Sequence, residues 1–297
     1  MDKVKIVFVI LHYLAADDTI ECINSILENV KYADKSVVVV DNASPNDSFG
    51  KIKNTYAGRE DMVFIQNEEN LGFARGNNVG FLYAKKEYNA DFIVMLNNDT
   101  IITQPDFCEV IISKYDKTEF SVLGPDILSG HGYHQNPMKR RDWTVFKLRL
   151  YQLRAVLRLI DAGLLMLGAV ILRKKKKAAA AKPAVIGDIT GVLLNGSCLI
   201  FSPIYIERFD GLDPRTFLYM EEDLLKMHMD KNGLKMLYSS DLRIFHKESV
   251  SSDMLDSTER EREIRRLLNN IHSIDICIEC MKEFDAADDA DAEQAIQ

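Results

Sequence analysis

The stretch NLGFARGNNVG, from Asn70 to Gly80, joins a short apolar run, Met62 to Asn67, to a segment with a helical pattern. It is therefore predicted to be a strand-to-helix turn. Its glycines, Gly72, Gly76 and Gly80, are spaced by four, which does not match the G-x-G-x-x-G fingerprint of dinucleotide-binding proteins. Spacing by four places Gly76 and Gly80 on one face of a helix, where the backbone can approach another element closely.

The same turn carries a fixed positive charge. Arg75 lies near the start of the predicted helix, beside N–H groups that have no partner within the helix. This arrangement suits a phosphate or a diphosphate. A tight turn followed by a close-packed helix explains the glycines equally well. The turn therefore indicates either a phosphate site or a packing feature.

Apolar stretches before and after this turn end in polar, acidic residues. VVVVDNASPND covers Val37 to Asp47, and FIVMLNNDT covers Phe92 to Thr100. With Val4 to Leu11, these runs are typical of buried strands in a parallel sheet. The spacing of the first two strands predicts a right-handed βαβ unit. Ligands of such sheets bind at the carboxyl ends of the strands, so the polar tips are candidate site residues.

The order of these features resembles the family 2 glycosyltransferases with the GT-A fold, in particular those of bacterial rhamnosyl transfer and polysaccharide assembly. The shared order is an Asp-tipped strand, the motif N-x-G-F-A-x-G-N-N and an apolar strand ending in N-x-D. The resemblance covers about residues 4–250. It implies an α/β fold with a mixed, mainly parallel, Rossmann-like sheet flanked by helices. The expected units are a GT-A domain at 1–250 with a helical, basic and apolar insertion at about 137–182, a C-terminal helix at 251–284 and a disordered acidic tail at 285–297.

Composition limits the class of protein. With 297 residues, 47% of them hydrophobic, the chain can bury a substantial core. The net charge of −8 argues against general nucleic-acid binding. Five cysteines without disulfide-scaffold spacing and no recognisable signal peptide predict a cytoplasmic protein. Cys277 and Cys280 form a C-x-x-C within a helical pattern, for which we expect no metal or redox role.

Asp41, at the tip of the second strand, is the first candidate donor-site residue. By the resemblance it recognises the nucleoside of a pyrimidine nucleotide sugar, since a carboxylate can accept from the base N3–H or a ribose hydroxyl. From its position alone, an Asx turn or a helix cap explains Asp41 as well. The resemblance implies further donor-binding residues, namely Asn42, Asn70, Gly72, Arg75, Gly76, Asn77 and Asn98.

Asp99 and His246 are the candidate metal ligands. GT-A enzymes often carry D-x-D where this chain has N-x-D, and Asp99 matches the final Asp. By the resemblance, Asp99 and His246 bind Mg²⁺ or Mn²⁺, ions whose shells phosphates and waters can complete. Because this chain has Asn97 where D-x-D has its first Asp, fewer anionic ligands are available to the metal ion. A plain strand-end turn and a structural histidine are the alternatives.

FLYMEEDLL, from Phe217 to Leu225, is the candidate catalytic segment. Three consecutive acids open a helix there, and acids in a first turn also stabilise the helix dipole without any catalysis. Relatives carry Y-x-E-D, so Glu221 and Glu222 match the pair and Asp223 is an extra acid. Glu222 is then the general base and Asp223 its rival, with the register open by one residue. Close like charges raise a pKa, which suits a base near neutral pH. The resemblance also implies pocket-lining positions at Asp188, Gly191, Asn195 and Gly196.

The segment Trp143 to Lys177 alternates basic and apolar residues and then becomes apolar from Ala162 to Leu172. It is too short for a transmembrane span, which needs about 20 apolar residues. The cluster RKKKK at Arg173 to Lys177 suits an anionic membrane surface. A pair of helices packed on the domain, followed by a solvated lysine run, is the alternative.

The resemblance thus implies an inverting, metal-dependent transfer of a sugar from a UDP- or dTDP-sugar to a hydroxyl of a saccharide or lipid-linked acceptor. The expected setting is surface-polysaccharide synthesis, in the cytoplasm or peripherally at the inner face of the cell membrane. A catalytically weak GT-A scaffold that docks at the membrane is the alternative. A nucleotidyltransferase would need a glycine-rich, basic loop after the first strand, where this chain has the acidic HYLAADD, His12 to Asp18.

Overall fold

A computed structural model of the chain describes residues 4–164, 183–248 and 258–296. The strands are β1 (Ile6–His12), β2 (Lys35–Asp41), β3 (Met62–Gln66), β4 (Phe92–Asn97), β5 (Thr100–Ile101), β6 (Val122–Ser129), β7 (Asp188–Thr190), β8 (Cys198–Phe201) and β9 (Met236–His246). The helices are α1 (Ala16–Asn29), α2 (Ser48–Thr55), α3 (Gly72–Lys86), α4 (Phe107–Thr118), α5 (Val145–Leu164), α6 (Pro203–Arg208), α7 (Glu221–Lys231) and α8 (Glu259–Ile296).

The strands of the described residues form one sheet in the order β3-β2-β1-β4-β8-β6-β9-β5, with β7 paired to β9. Strands β3, β2, β1 and β4 are parallel, whereas β8 runs antiparallel to both β4 and β6. In the parallel half, His12 of β1 lies opposite Asp41 of β2, so the polar tips meet at one edge of the sheet. The predicted α/β fold with a mixed, mainly parallel sheet is confirmed.

Both faces of the sheet are covered, which explains the continuous apolar runs. Along β1, Phe8 and Ile10 belong to a core that includes residues of α1, α2 and α4. The alternating Val7 and Val9 face the opposite side, where residues of α3, α6 and α7 cover the sheet. Because side chains of a strand alternate between its faces, an unbroken apolar strand fills two cores at once.

Helix α3 lies very close to the sheet at its glycines. A Cβ atom at Gly80 would be 2.4 Å from Cγ1 of Val9, and one at Gly76 would be 2.9 Å from Cδ1 of Leu11. The close approach expected from the glycine spacing is therefore confirmed. The helix begins at Gly72, earlier than the predicted turn allowed, so most of the NLGFARGNNVG stretch is helical.

The predicted insertion contains α5, which packs on α8. Their shared core includes Leu148 of α5 together with Ile274 and Cys277 of α8, and it reaches Leu224 of α7. Residues 165–182, which hold most of the apolar run and the RKKKK cluster, lie outside the described residues. Within the described part of the chain, no helix has the length and apolar character needed to cross a membrane.

Helix α8 continues to Ile296, so it covers most of the segment predicted as a disordered tail at 285–297. The segment has five alanines, the residue that favours helix most, and no glycine or proline, although aspartate, of which it has four, favours helix less. The helix is also held from the side, because Nζ of Lys231 donates to the carbonyl oxygen of Phe284 at 3.1 Å and pairs with Asp288. Of the helix predicted at 251–284, residues 251–257 lie outside the described residues.

The contact between Gly80 and Val9 can be tested by Gly80→Ala. In a helix that faces open space, this change would increase the free energy of unfolding by about 1 kcal/mol, because alanine is the better helix former. Here we expect a decrease of about 1–3 kcal/mol, because the added methyl group overpacks the core against β1. Urea unfolding followed by circular dichroism measures the change, and a variant as stable as the wild type would contradict the contact.

Candidate active site

The predicted metal ligands Asp99 and His246 are brought together by two short strands. Strand β5 pairs antiparallel with the end of β9, so that Thr100 lies opposite His246. Nε2 of His246 is 3.2 Å from Oδ1 of Asp99, and both side chains are mostly buried. The backbone N–H of Lys247 donates to the carbonyl oxygen of Asp99 at 3.0 Å, which fixes the two segments together.

The other nitrogen of His246 contacts a residue that the sequence did not single out. Nδ1 of His246 is 2.9 Å from Oε1 of Gln135. Nε2 of Gln135 in turn donates to Oε1 of Glu248 at 2.9 Å, and the hydroxyl of Tyr133 donates to the same oxygen at 2.6 Å. Gln135 lies in a polar loop without ligand spacing, so no local signal in the sequence could have identified it.

Asp41 lies at the predicted strand tip, but its carboxylate is buried. It accepts from the backbone N–H of Ser44 at 3.2 and 3.3 Å and from Nε2 of Gln66 at 3.2 Å. The Asx-type turn left open by the sequence is therefore present. His12 lies beside it, with Nε2 4.0 Å from Oδ1 of Asp41. Burial lowers the pKa of His12 to about 4, so this imidazole is neutral at physiological pH.

Asn42 uses its whole side-chain amide to hold the start of α3. Nδ2 donates to Oδ1 of Asn70 and to the carbonyl oxygen of Gly72, both at 3.0 Å. Oδ1 accepts from Nδ2 of Asn67 at 3.1 Å and from the N–H of Leu71 at 3.0 Å. An asparagine amide has two donors and two acceptor positions, so all four are in use. The donor contact that the resemblance implies for Asn42 stays a prediction.

The start of α3 also touches the segment that leads to the acids. Gly72 has a positive φ of 77°, and a Cβ there would be 2.3 Å from the carbonyl oxygen of Phe217. The N–H of Phe73 donates to the same oxygen at 2.8 Å. Glycine is required because another side chain would separate these two backbones. The glycine-rich start of α3 therefore positions the acid segment.

The remaining predicted donor residues differ in exposure. Arg75 is exposed at the first turn of α3, as a phosphate ligand requires. Asn77 is buried and donates to the carbonyl oxygen of Phe73 at 3.0 Å, while its Oδ1 has no partner among the described residues. Asn98 is also buried and donates to Oγ1 of Thr19 at 3.0 Å. That bond ties the end of β4 to α1, and the implied donor contact of Asn98 stays a prediction.

The three consecutive acids begin α7 directly after two residues with positive φ, Tyr219 at 76° and Met220 at 67°. Left-handed backbone at two adjacent non-glycine residues is costly and occurs mainly at functional sites. The change of chain direction at Tyr219 and Met220 directs the acids of α7 into three different environments. Successive residues of a helix differ by about 100° in direction, so neighbouring acids need not share partners.

Glu221 is buried, and its Oε1 has no hydrogen-bond partner among the described residues. Burial, followed by the charge of Glu222, raises the pKa of Glu221 to about 8. It is therefore largely protonated at neutral pH.

Glu222 and Asp223 differ in how many of their carboxylate oxygens accept hydrogen bonds. Glu222 is half-buried, and its Oε1 accepts from the N–H of Gly196 at 3.2 Å. Burial raises its pKa as well. Asp223 is buried, and both its oxygens are engaged, by Nε1 of Trp143 at 2.7 Å and by Nη1 of Arg141 at 3.2 Å. Neither Trp143 nor Arg141 was a candidate from the sequence.

A short turn connects the acids to the end of β4. The N–H of Asn97 donates to the carbonyl oxygen of Ser197 at 2.9 Å, and the neighbouring Gly196 binds Glu222. Gly196, an implied pocket position, is therefore at the site. Asp188, another implied position, instead pairs with Lys114 at 2.8 Å and accepts from Ser239 at 2.7 Å.

A separate polar cluster joins the loop before α7 to α7 and α8. Nε2 of His228 is 3.0 Å from Oδ2 of Asp213 and 3.8 Å from Sγ of Cys280. Such atoms could surround a metal ion, but Arg215 already binds both oxygens of Asp213, at 3.0 and 2.7 Å. The hydrogen bond to Asp213 is the main reason that the pKa of His228 is raised to about 9. The charges of the cluster are thus compensated by its own residues.

Comparison with known proteins agrees with this architecture. The low-salt glycan biosynthesis hexosyltransferase Agl10 of Haloferax volcanii is 26% identical over 186 residues, which are 62% of this chain and 50% of Agl10. The chain thus spans about half the length of that relative.

Two solved structures share the fold. Residues 1–349 of TarS from S. aureus align with a TM-score of 0.52 and 15% identity, over 91% of this chain and 72% of that one. GalNAc-T7, solved with UDP, GalNAc and Mn²⁺, aligns with a TM-score of 0.58 and 13% identity, over 90% of this chain and 48% of that one. At these identities the likeness concerns the fold, which is GT-A.

Residues 7–175 match the family model of Glycosyl transferase family 2. Because the matched residues make up more than half of the 297-residue chain, the chain belongs to glycosyl transferase family 2.

Proposed function

We propose that this protein is a glycosyltransferase that moves a sugar, with inversion, from a UDP- or dTDP-sugar to a hydroxyl of a saccharide or lipid-linked saccharide acceptor. The observation that carries the proposal is the convergence of the Asp99–His246 pair with Glu222 around the end of β4. Arg75, exposed at the first turn of α3, adds a cation for the donor diphosphate.

The proposal includes a divalent cation, Mg²⁺ or Mn²⁺, at Asp99 and His246. Gln135 accepts from Nδ1 of His246, which leaves the lone pair of Nε2 directed at a carboxylate oxygen 3.2 Å away. A metal ion bound to both atoms fits this separation, as does a hydrogen on Nε2 of a charged imidazole. An oxygen and an imidazole ligand suit Mn²⁺ best and are acceptable to Mg²⁺. When bound, the ion would act as a Lewis acid that neutralises the leaving diphosphate. The presence of UDP and Mn²⁺ in the GalNAc-T7 structure supports this choice.

Glu222 is the general base of the proposed mechanism. It removes the proton from the acceptor hydroxyl while that oxygen bonds to C1 of the sugar and the bond from C1 to the diphosphate breaks. One displacement inverts C1 and needs no nucleophile from the protein. The raised pKa makes Glu222 a better base, and its partial exposure leaves it open to a substrate. Asp223, engaged by Trp143 and Arg141, and the protonated Glu221 are less suited to this role.

The expected setting is surface-polysaccharide synthesis by an enzyme at the inner face of the cell membrane. The glycan biosynthesis role in the name of Agl10 supports a saccharide acceptor.

Calorimetric titration with UDP, dTDP and GDP, each with Mn²⁺ and with EDTA, tests the donor site. We expect one pyrimidine diphosphate to bind in a metal-dependent manner, because Asp99 and His246 would hold a cation that neutralises the charge of the diphosphate. Asp99→Ala should reduce binding to the level measured in EDTA. Asp116→Ala, at an exposed position of α4, is the matched control and should bind as the wild type does. Absence of nucleotide binding under every condition would reject the transferase mechanism in favour of the membrane-docking scaffold.

The role of Glu222 is tested by donor hydrolysis, with water as the acceptor. We expect Glu222→Gln to slow the release of UDP or dTDP from the donor sugar by about 10²–10⁴-fold, since the base is lost. Binding of the nucleotide should be unchanged. Asp223→Asn is the matched control, one residue away, and should retain most of the rate. If the order of the two variants were reversed, Asp223 would be the base.

A further inference from the structure

Helix α5 carries a row of large apolar side chains on its outer side. Their spacing alternates between four and three residues, which places them along one side of a helix. They are between 40% and 72% exposed. We call this row the outer face of α5, and it consists of Phe146, Leu150, Leu153, Leu157 and Ile160.

The opposite side of α5 is fixed to α8. Leu148 and Ala155 are buried there. Nη1 of Arg149 pairs with Asp275 at 2.9 Å, and Nε2 of Gln152 donates to the carbonyl oxygen of Ile271 at 3.4 Å. With its inner side packed in this way, the helix holds the outer face toward solvent.

The charges that flank the outer face are mainly basic. Lys147, Arg154 and Arg158 lie along one flank and are exposed, whereas Arg149, on the other flank, is paired with Asp275. Asp161 is the acid of this stretch of α5. The chain as a whole has a net charge of −8, so this basic surface contrasts with the rest. Long basic side chains beside an apolar row are typical of helices that lie in the headgroup region of a bilayer.

We propose that the outer face of α5 binds the surface of an anionic lipid bilayer. A second copy of the chain is the less suitable occupant, because two such faces would bring together basic flanks of the same sign. An anionic headgroup layer supplies the opposite charge along the whole helix. The apolar row supplies the part that enters the acyl boundary.

The position of α5 suggests a role for the membrane contact in presenting the acceptor. This role rests on the proposed function. Trp143, two residues before α5, donates to Asp223 at 2.7 Å, and Asp223 is adjacent to Glu222. A bilayer bound along α5 therefore lies next to the acid cluster. A lipid-linked saccharide anchored in that bilayer can present its hydroxyl to Glu222.

Vesicle sedimentation tests the outer face. We expect the wild type to bind vesicles that contain phosphatidylglycerol and to bind pure phosphatidylcholine weakly. Leu153→Glu with Leu157→Glu should lower binding to the anionic vesicles at least about tenfold, since two leucines that would enter the acyl boundary are replaced by charges. Leu268→Glu is the matched control, because Leu268 and Leu153 are both 52% exposed and Leu268 lies on α8. The control should bind as the wild type does.

Several results would overturn the proposal. These are no binding by the wild type, full binding by the double variant, or an equal loss in the Leu268→Glu control. A wild-type dimer that the double variant dissociates would assign the face to a second copy of the chain. Nucleotide titration of the same variants keeps the outcomes separate, since loss of vesicle binding with normal UDP binding leaves the transferase proposal intact.

An independent observation concerns Gln135 and His246. The carboxylate of Glu248 can only accept, so it orients the Gln135 amide with its N–H₂ group toward Glu248 and its oxygen toward His246. The amide oxygen can only accept, so Nδ1 of His246 must carry the hydrogen. Nε2 is then the nitrogen available to a metal ion beside Asp99.

We infer that Gln135 is a positioning residue that fixes the tautomer and the ring orientation of His246 for metal binding. The inference rests on the proposed metal site. Partners of this kind are known to tune ligand affinity by holding an imidazole in its binding orientation. Tyr133 supports the arrangement through its 2.6 Å hydrogen bond to Glu248.

Electron paramagnetic resonance of Mn²⁺ in the presence of UDP tests this role. Gln135→Met keeps the length of the side chain and removes the acceptor, so we expect Mn²⁺ affinity to fall about 10–100-fold with an unchanged melting temperature. Gln152→Met, on α5, is the matched control and should bind Mn²⁺ as the wild type does. Equal affinity in Gln135→Met and the wild type would overturn the role of Gln135 alone. A wild type that binds UDP but no Mn²⁺ would overturn the metal site and the role together.

Discussion

The side-chain amide of Asn42 is the interaction on which the arrangement of the site depends. Its four hydrogen bonds fasten the end of β2 to the residues that begin α3. With its start fixed, α3 lies flush on β1 through Gly76 and Gly80. At the start of α3, the N–H of Phe73 donates to the carbonyl oxygen of Phe217, which lies four residues before the first acid. A single buried amide thus sets the distance between the donor-side strands and the catalytic segment.

The three consecutive acids at the start of α7 look alike in the sequence, but helix geometry gives each of them a different environment. Glu221 turns into the core, where burial favours its neutral form. Asp223 turns to Trp143 and Arg141, which satisfy it as an anion. Glu222 faces the turn at Gly196 and stays partly open to solvent. Sequence alone could not separate these residues, because the difference comes from what lies across from each one, not from the acids themselves.

The parts that could be predicted from sequence are those with local causes. Buried strands show as apolar runs, the glycine spacing predicted the close helix, and the family motif pointed to Asp99 and His246, which do lie together. Gln135 and Trp143 could not be predicted, because they reach the site from a long loop by tertiary contacts. The side-chain engagement of Asn42 and Asn98 was missed for the same reason. The helical continuation of α8 past 285 has two causes, the alanine content of the segment and the lateral contacts with Lys231, and the sequence reveals the first of them alone.

The loop before α5 connects the acids of α7 to the packed pair of helices α5 and α8. Arg141 and Trp143 bind Asp223, while α5, which starts two residues later, is anchored along α8. Helix α8 also contacts α7 below the acids, where Ile274 and Leu224 share a core. The acids therefore contact, through this loop and through α8, the same pair of helices that carries the outer face of α5. A surface bound by that face has a fixed position relative to Glu222, which a flexible tether could not provide.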